Sequence, residues 1–242
     1  MRSRVKPSVK SWANLRAEDS RAAFTLRELH VIHDDAAKSA ALNMAVDEAL
    51  LELARTPTLR FYGWRRPSVS FGYFCPFAEV SSEKERRELV RRWTGGGVVL
   101  HGTDLTYSLI FPRAHDSSCA SSRQIYSFVH SAIHRALRGS VDAVLAVADA
   151  PKVSDACFAN PVAADVLVDG RKIAGAAQRR TRAGLLQQGS IQCDELPIPF
   201  RDRFASELCP NSEARDLSTE VRQRGEILAE TKYATRAWLE QR

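Results

Sequence analysis

Apolar residues at 42, 46, 49, 50 and 53 fall on one stripe at helical spacing and predict an amphipathic helix ending near Ala54. Asp34 and Asp35 stand before it as candidate N-caps, and the loosely alternating stretch 24–33 ahead of them reads as a first strand. Asn43 and Asp47, four apart on another side of that helix, are expected on a solvated face. Residues 58–63 and 68–74 read as strands around an Arg-Arg-Pro turn, and 79–90 as a short, charged helical stretch. Residues 98–100 and 105–111 are expected to pair as a hairpin. A second amphipathic helix over 121–138 carries Ile125, Phe128, Val129, Ile133 and Leu137. Apolar runs at 163–168 and 171–178 flank Asp169-Gly170, a strong two-residue hairpin signal, and 184–192 reads as a returning strand. Beyond residue 200 the chain is charged and mostly helical. Many strands with few long helices between them predict an α+β fold with a largely antiparallel sheet. The expected organisation is a basic tail over 1–22, a main domain over 23–208 and a charged helical extension over 209–242.

The Asp169-Gly170 turn sets a pairing register in which Val168 faces Arg171, Leu167 faces Lys172 and Asp165 faces Ala174. Asp165 and Lys172 then share one face on a diagonal, within reach of a long side chain, so an acid can orient the Lys172 ammonium. The run Ile173-Ala174-Gly175-Ala176-Ala177 leaves room beside that charge, a slot wide enough for a linear acyl chain. The competing reading is an exposed surface salt bridge, worth about 0–1 kcal/mol.

A second chemical feature lies at Arg91-Arg92-Trp93-Thr94-Gly95-Gly96-Gly97. Three consecutive glycines are costly to order, so a folded chain keeps them where backbone must approach something closely. Arginine charge beside bare N–H groups suits a carboxylate, a phosphate or an acyl phosphate. His130 and His134 have metal-ligand spacing, but no Glu-x-x-His pattern or third ligand accompanies them, and no metal site is expected.

Composition narrows the classes further. The chain of 242 residues is 44% hydrophobic and 26% charged, ordinary for one large globular domain. It has no apolar run near the ~18 residues a membrane span needs, and no apolar secretory core near its start. A formal net charge of +6 favours an acidic partner. No nucleic-acid-binding motif is present, which disfavours that partner. The five cysteines, at 75, 119, 157, 193 and 209, are odd in number and widely spaced without Cys-x-x-Cys, which argues for a reduced, cytoplasmic setting.

Taken in order, the segments 91–101, 165–178 and 187–191 resemble the lipoate–protein ligase and octanoyltransferase family. The helix 42–50 and the stretch 62–74 are similar to the family's first helix and its second and third strands, so the likeness runs from about residue 26 to 200. The resemblance implies a fold shared with biotin–protein ligases, α+β with a mixed, largely antiparallel curved sheet flanked by helices, and acyl transfer to a lysine of a lipoyl carrier domain, of glycine cleavage H protein or a 2-oxoacid dehydrogenase E2. It places the loop that holds the acyl carboxylate or acyl phosphate at Arg92, Gly95, Gly96 and Gly97, closed by His101, with Gly175 opposite. It places the lysine that polarises the acyl carbonyl at Lys172, with Asp165 orienting it.

The family divides by chemistry. Its ligases activate free lipoate with ATP and Mg²⁺; its octanoyltransferases take octanoate from acyl carrier protein through a cysteine thioester and need no cofactor. Cys157-Phe158, eight residues before Asp165, falls where the transferase branch has its nucleophile, and Asp104-Leu105-Thr106-Tyr107-Ser108 also resembles that branch. The chain is expected to lack the accessory C-terminal domain of full-length ligases. Gly97, the third glycine, resembles the ligase loop instead. A thiolate at Cys157 would be favoured by a nearby cation such as Lys172 and would divide the transfer into two easier steps. The expectation is the transferase, with the ATP-dependent ligase as the alternative and a non-enzymatic basic binding domain as the third class.

Overall fold

The computed structural model describes residues 24–115, 120–151, 158, 160–193 and 196–241. The basic tail 1–22, Cys119 and Cys157 lie outside the described residues. Among the described residues the chain forms β1 (Leu29–Lys38), α1 (Ala40–Leu53), β2 (Thr58–Trp64), β3 (Ser68–Phe71), β4 (Glu88–Arg91), β5 (Val98–His101) and β6 (Leu105–Pro112). Then follow α2 (Ser122–Leu137), β7 (Ala143–Leu145), β8 (Val166–Val168), β9 (Arg171–Arg180), β10 (Gly184–Ile191), α3 (Phe200–Leu208), β11 (Ser212–Ala214), α4 (Thr219–Leu228) and α5 (Arg236–Leu239).

An eight-stranded mixed sheet runs β11-β1-β2-β6-β10-β9-β8-β7, and a small three-stranded sheet runs β4-β3-β5. In the large sheet β1 is parallel to β11 and β2, and the other pairings are antiparallel. Alternation along β2 and β6 sorts side chains between two layers. Leu59, Phe61, Leu109 and Phe111 pack with α2 and α3, whereas Tyr62 and Ile110 pack with α1 and α4. Covered on both faces, β6 is buried along its whole length.

Several sequence expectations are corrected here. β1 continues through Asp34 and Asp35 to Lys38, and the helix N-cap is Ser39, whose hydroxyl accepts from Leu42 N at 3.3 Å. Asp34 is no cap because its carboxylate is held by the Arg60 guanidinium at 2.7 Å. β5 and β6 are not a hairpin: β5 pairs with β3 in the small sheet, and Gly102–Asp104 carries the chain across to the large one. Residues 79–90 include two short 3-10 turns and then strand β4.

The segment after α3 joins the body of the fold. β11 pairs with β1, and Val221, Leu228 and Tyr233 share the core under α1. No helix among the described residues is long and apolar enough to cross a membrane.

Candidate active site

Register fixes the floor of the site. Tyr62, Thr106, Ser190 and Gly175 are successive partners across β2, β6, β10 and β9. All four line a narrow slot where the two sheets meet. Its cavity volume is about 30 Å³. The small sheet contributes Ser70, Val99 and His101 to its wall, with Arg92 from just beyond β4; Met44 of α1 and Phe158 complete the apolar lining.

Two residues further along the same strands lies a polar row, Arg60, Ser108 and Gln188, directly under α1. Asn43 and Asp47 meet this row, and both are 0% exposed, so the expected solvated face is in fact a buried polar core. Asp47 accepts from Arg60 Nη1, Ser108 Oγ and Gln188 Nε2, each at 2.7 Å, and from Tyr62 OH at 3.1 Å. Asn43 accepts from Arg60 Nη2 at 2.9 Å and donates to the Gly63 carbonyl at 2.9 Å. Every side chain in the row is satisfied, which is the condition on which polar groups are tolerated in a core.

Lys172 of β9 lies beside the slot, against Gly175 of its wall. Its Nζ lies 2.9 Å from Asp165 Oδ2, with both side chains almost wholly buried, so this is no exposed surface salt bridge. The register that produces the pair differs from expectation. Val166, not Asp165, faces Ala174, and Ile173 is an extra residue on β9, a β-bulge. Asp165 stands just before β8, after Ala164 at φ 73, and accepts also from Val162 N at 2.7 Å and from the Tyr126 hydroxyl. Burial and the Asp165 carboxylate push the Tyr126 phenol far up, so it remains a donor. Gly175 makes room for the lysine: a Cβ there would sit 2.2 Å from Lys172 Cε. The Phe158 ring centroid is 5.6 Å from Nζ. Behind the pair, buried His130 bonds the Ala164 carbonyl at 3.0 Å, and burial lowers its pKa to about 4. His134 bonds the Ala143 carbonyl at 3.0 Å.

Across the floor, His101 Nδ1 bonds Asp104 Oδ2 at 2.8 Å and its Nε2 meets Ser70 Oγ at 2.6 Å. Asp104 also accepts from Ser190 Oγ at 2.7 Å, Thr106 Oγ1 at 2.9 Å and Gly102 N at 3.1 Å. Burial opposes ionisation of Asp104, but the hydrogen bonds from His101, Ser190 and Gly102 prevail and hold it below the ordinary carboxylate value. An ionised acceptor at Nδ1 fixes the proton there and leaves Nε2 as an acceptor for the Ser70 hydroxyl. Burial holds the His101 pKa below its ordinary value, with Arg92 and Arg87 adding to the effect against Asp104. The Trp64 ring stacks on the imidazole at 4.0 Å.

The arginines and glycines do something more specific than supply bare charge. Arg92 donates to Ser70 Oγ at 2.8 Å and to the carbonyls of Gly95 at 3.0 Å and Gly97 at 2.9 Å, so its guanidinium shapes the loop. Arg91, fully buried, holds the carbonyls of Tyr73, Cys75 and Leu239. Gly96 takes φ 82, and a Cβ there would lie 3.3 Å from Ala177 Cβ on the slot wall. Thus Gly175, Arg92 and His101 line one slot, the Lys172–Asp165 pair lies next to Gly175, and Gly95, Gly96 and Gly97 are in the loop that Arg92 shapes. Ser70, Trp64 and Tyr126 were missed by sequence reasoning. Each sits in an ordinary strand or helix pattern, and only tertiary pairing reveals its partner.

This arrangement belongs to a known class. Residues 39–217 match the family model of the lipoyl protein ligase A/B catalytic domain, and the chain belongs to that family. Octanoyltransferase LipM of Oceanobacillus iheyensis is 38% identical over 177 residues, 69% of this chain and 64% of that protein. Octanoyltransferase LipM of Bacillus subtilis is 36% identical over 200 residues, 76% of this chain and 71% of that protein. The chain spans just under two thirds of the length of the Oceanobacillus relative. The fold is that of lipoate ligases. A lipoate-protein ligase A bound with ATP superposes with TM-score 0.69 at 21% identity, over 90% of this chain and 99% of the other. A bipartite lipoate protein ligase from Thermoplasma acidophilum superposes with TM-score 0.65 at 21% identity, over 88% and 96%.

Proposed function

We propose that this chain is an acyltransferase of protein lipoylation. It moves an octanoyl group from acyl carrier protein onto a lysine of a lipoyl carrier domain, of glycine cleavage H protein or a 2-oxoacid dehydrogenase E2, in the reducing cytoplasm. The observation that carries the reading is the Lys172 ammonium, held by Asp165 at 2.9 Å above Gly175 beside a narrow slot. Relatives named octanoyltransferase, at 36–38% identity, support it.

In the first step the Cys157 thiolate attacks the donor thioester carbonyl; a new C–S bond forms, the donor's C–S bond breaks, and the carrier sulfur leaves as a thiolate. In the second the acceptor amine attacks the enzyme thioester, a C–N bond forms, and the Cys157 sulfur leaves with the amine's proton. Lys172 donates a hydrogen bond to the carbonyl oxygen in both steps, where negative charge develops. The octanoyl tail lies along the slot floor by Gly175, and Arg92, with Gly95, Gly96 and Gly97, shapes the end that holds the carbonyl. The thioester is already activated, so no ATP or metal is required.

Intact-mass measurement after incubation with octanoyl-acyl carrier protein tests this. An octanoyl adduct is expected, absent from Cys157→Ala; no adduct, or one that survives Cys157→Ala, overturns the thioester route. Gly97 gives the ligase its foothold, and that reading makes the opposite demand: modification of the carrier domain from free lipoate only when ATP and Mg²⁺ are added. A purely binding role would leave both assays silent and Lys172→Ala without chemical effect.

A further inference from the structure

Arg179 stands on the face of β9 that borders the slot. It follows Gly175 and Ala177, which line the slot, at the alternate spacing that keeps side chains on one face of a strand. Its guanidinium carbon lies 5.0 Å from the Tyr73 ring centroid and 5.1 Å from that of Trp93. Among the described residues those two rings are the guanidinium's only partners, with no ion pair and no hydrogen bond. Lys232, another cation over Trp93, is by contrast paired with Glu48 at 2.6 Å. Aromatic rings hold a guanidinium through its charge and leave its N–H donors unspent. The half-buried Arg179 is thus positioned before any ligand arrives, which lowers the cost of a bidentate bond to an oxyanion.

Distance from Lys172 decides which oxyanion. Four residues of regular strand separate Gly175, against which Lys172 packs, from Arg179, a span of about 13 Å. A phosphate bonded directly to the acyl carbon, as in an adenylate, would lie at the lysine and out of reach of Arg179. A phosphate at the far end of a linear arm meets it. An acyl carrier protein presents its thioester on such an arm, phosphopantetheine, whose phosphodiester is the one charged group between thioester and protein. We infer that Arg179 is the binding site for that phosphodiester, and that the donor's arm runs along β9 from Lys172 to Arg179. This inference rests on the transferase reading above.

Two further observations agree with it. Between the two ends of the path the exposed Gly96 stands against Ala177, so an arm laid there meets backbone that carries no side chain. Beyond Arg179 the chain continues into Arg180 and Arg182, both exposed, and no aspartate or glutamate occurs from Gly170 to Cys193. The potential at this end of β9 is therefore positive, and an acidic carrier is drawn to the end where the phosphate of its arm is to be held.

The test compares two small donors that differ by one phosphate, octanoyl-phosphopantetheine and octanoyl-pantetheine, in transfer to a lipoyl domain. The wild-type chain is expected to favour the phosphorylated donor by about 10- to 100-fold in kcat/KM, the worth of a charge-assisted hydrogen bond. Arg179→Gln is expected to erase that preference by raising KM for the phosphorylated donor, with kcat retained. Arg179→Met, which keeps an unbranched stem against the two rings, is expected to do the same and decides the matter if Arg179→Gln fails to fold. Equal loss with both donors means that Arg179 only holds Tyr73 and Trp93 in place, and overturns the inference. So does a preference that survives both substitutions, no preference in the wild type, or failure of both small donors where octanoyl-acyl carrier protein still serves. A wild-type chain that takes octanoate from none of the three donors overturns the transferase reading itself, and this site with it.

Discussion

A methyl group at position 175 would occupy the space of the Lys172 side chain, 2.2 Å from its Cε and 2.6 Å from its Nζ. The far end of a lysine can swing aside, so Gly175→Ala is expected to fold normally, with a melting temperature near that of the wild type. The Lys172 ammonium, however, would no longer stand where the proposed mechanism needs it to meet the acyl carbonyl. A misplacement on the order of 1 Å costs roughly 100-fold in rate, and that loss of octanoyl transfer is the expected readout. A short glycine-containing run beside a lysine was visible in the sequence, but its precise demand for no Cβ was not. Nearby, His130 makes stability depend on pH. Burial lowers its folded pKa from 6.5 to about 4, so the unfolded chain binds a proton that the folded chain refuses. Its contribution is fully present above pH 6.5 and is lost as pH falls from there towards 4, by about 3 kcal/mol. Urea denaturation at pH 7 and pH 4.5 should show this loss in the wild type and a flatter profile in His130→Gln.

At the scale of elements, β1, β2 and α1 are stapled by one guanidinium. Arg60, 0% exposed, bonds Asp34 of β1 and both Asp47 and Asn43 of α1. Arg60→Met would leave buried Asp47 without its cation and Asp34 with Lys38 alone, and breaking a buried pair from one side costs about 3–5 kcal/mol. The urea midpoint should fall accordingly with the slope unchanged. This staple also marks where sequence reading stops. Periodicity located α1, α2, β9 and β10 because local spacing decides which face of an element is apolar. It put Asn43 and Asp47 in water because periodicity treats every polar residue as solvent-facing, and only the register of β2, β6 and β10 brings Arg60, Ser108 and Gln188 beneath them. The same limit explains β5, whose partner is β3, two strands earlier, and not the next strand β6, which belongs to the large sheet. The Asp169-Gly170 turn was legible because its geometry is local; the bulge at Ile173 was not, since it is set by Gln192 N binding the Ile173 carbonyl at 2.7 Å.

Over the whole molecule, the last residues reach back to the centre of the site. Trp238 Nε1 donates to the Arg91 carbonyl at 3.0 Å, and Arg91 donates in return to the Leu239 carbonyl at 2.9 Å. Lys232 Nζ stands 4.3 Å from the Trp93 ring centroid and 4.2 Å from that of Trp238, and bonds Glu48 of α1 at 2.6 Å. Residues 91 and 93 flank Arg92 and lead directly into Gly95–Gly97. The C-terminal segment therefore braces the loop that shapes the slot, although it lies beyond the stretch 39–217 that defines the family. The large sheet does not need this brace, because its two layers are closed by α1, α2, α3 and α4. Stability of this kind is local, and hydrogen exchange reads it residue by residue. Truncation after Leu228 should leave β2, β6 and β10 protected while amide exchange across 91–97 accelerates, and octanoyl transfer should fall at least about tenfold as the loop loses its fixed geometry. Protection unchanged across 91–97 would mean that the loop holds itself through Arg92 alone. Loss of protection throughout the sheet would mean that the segment belongs to the global folding unit instead.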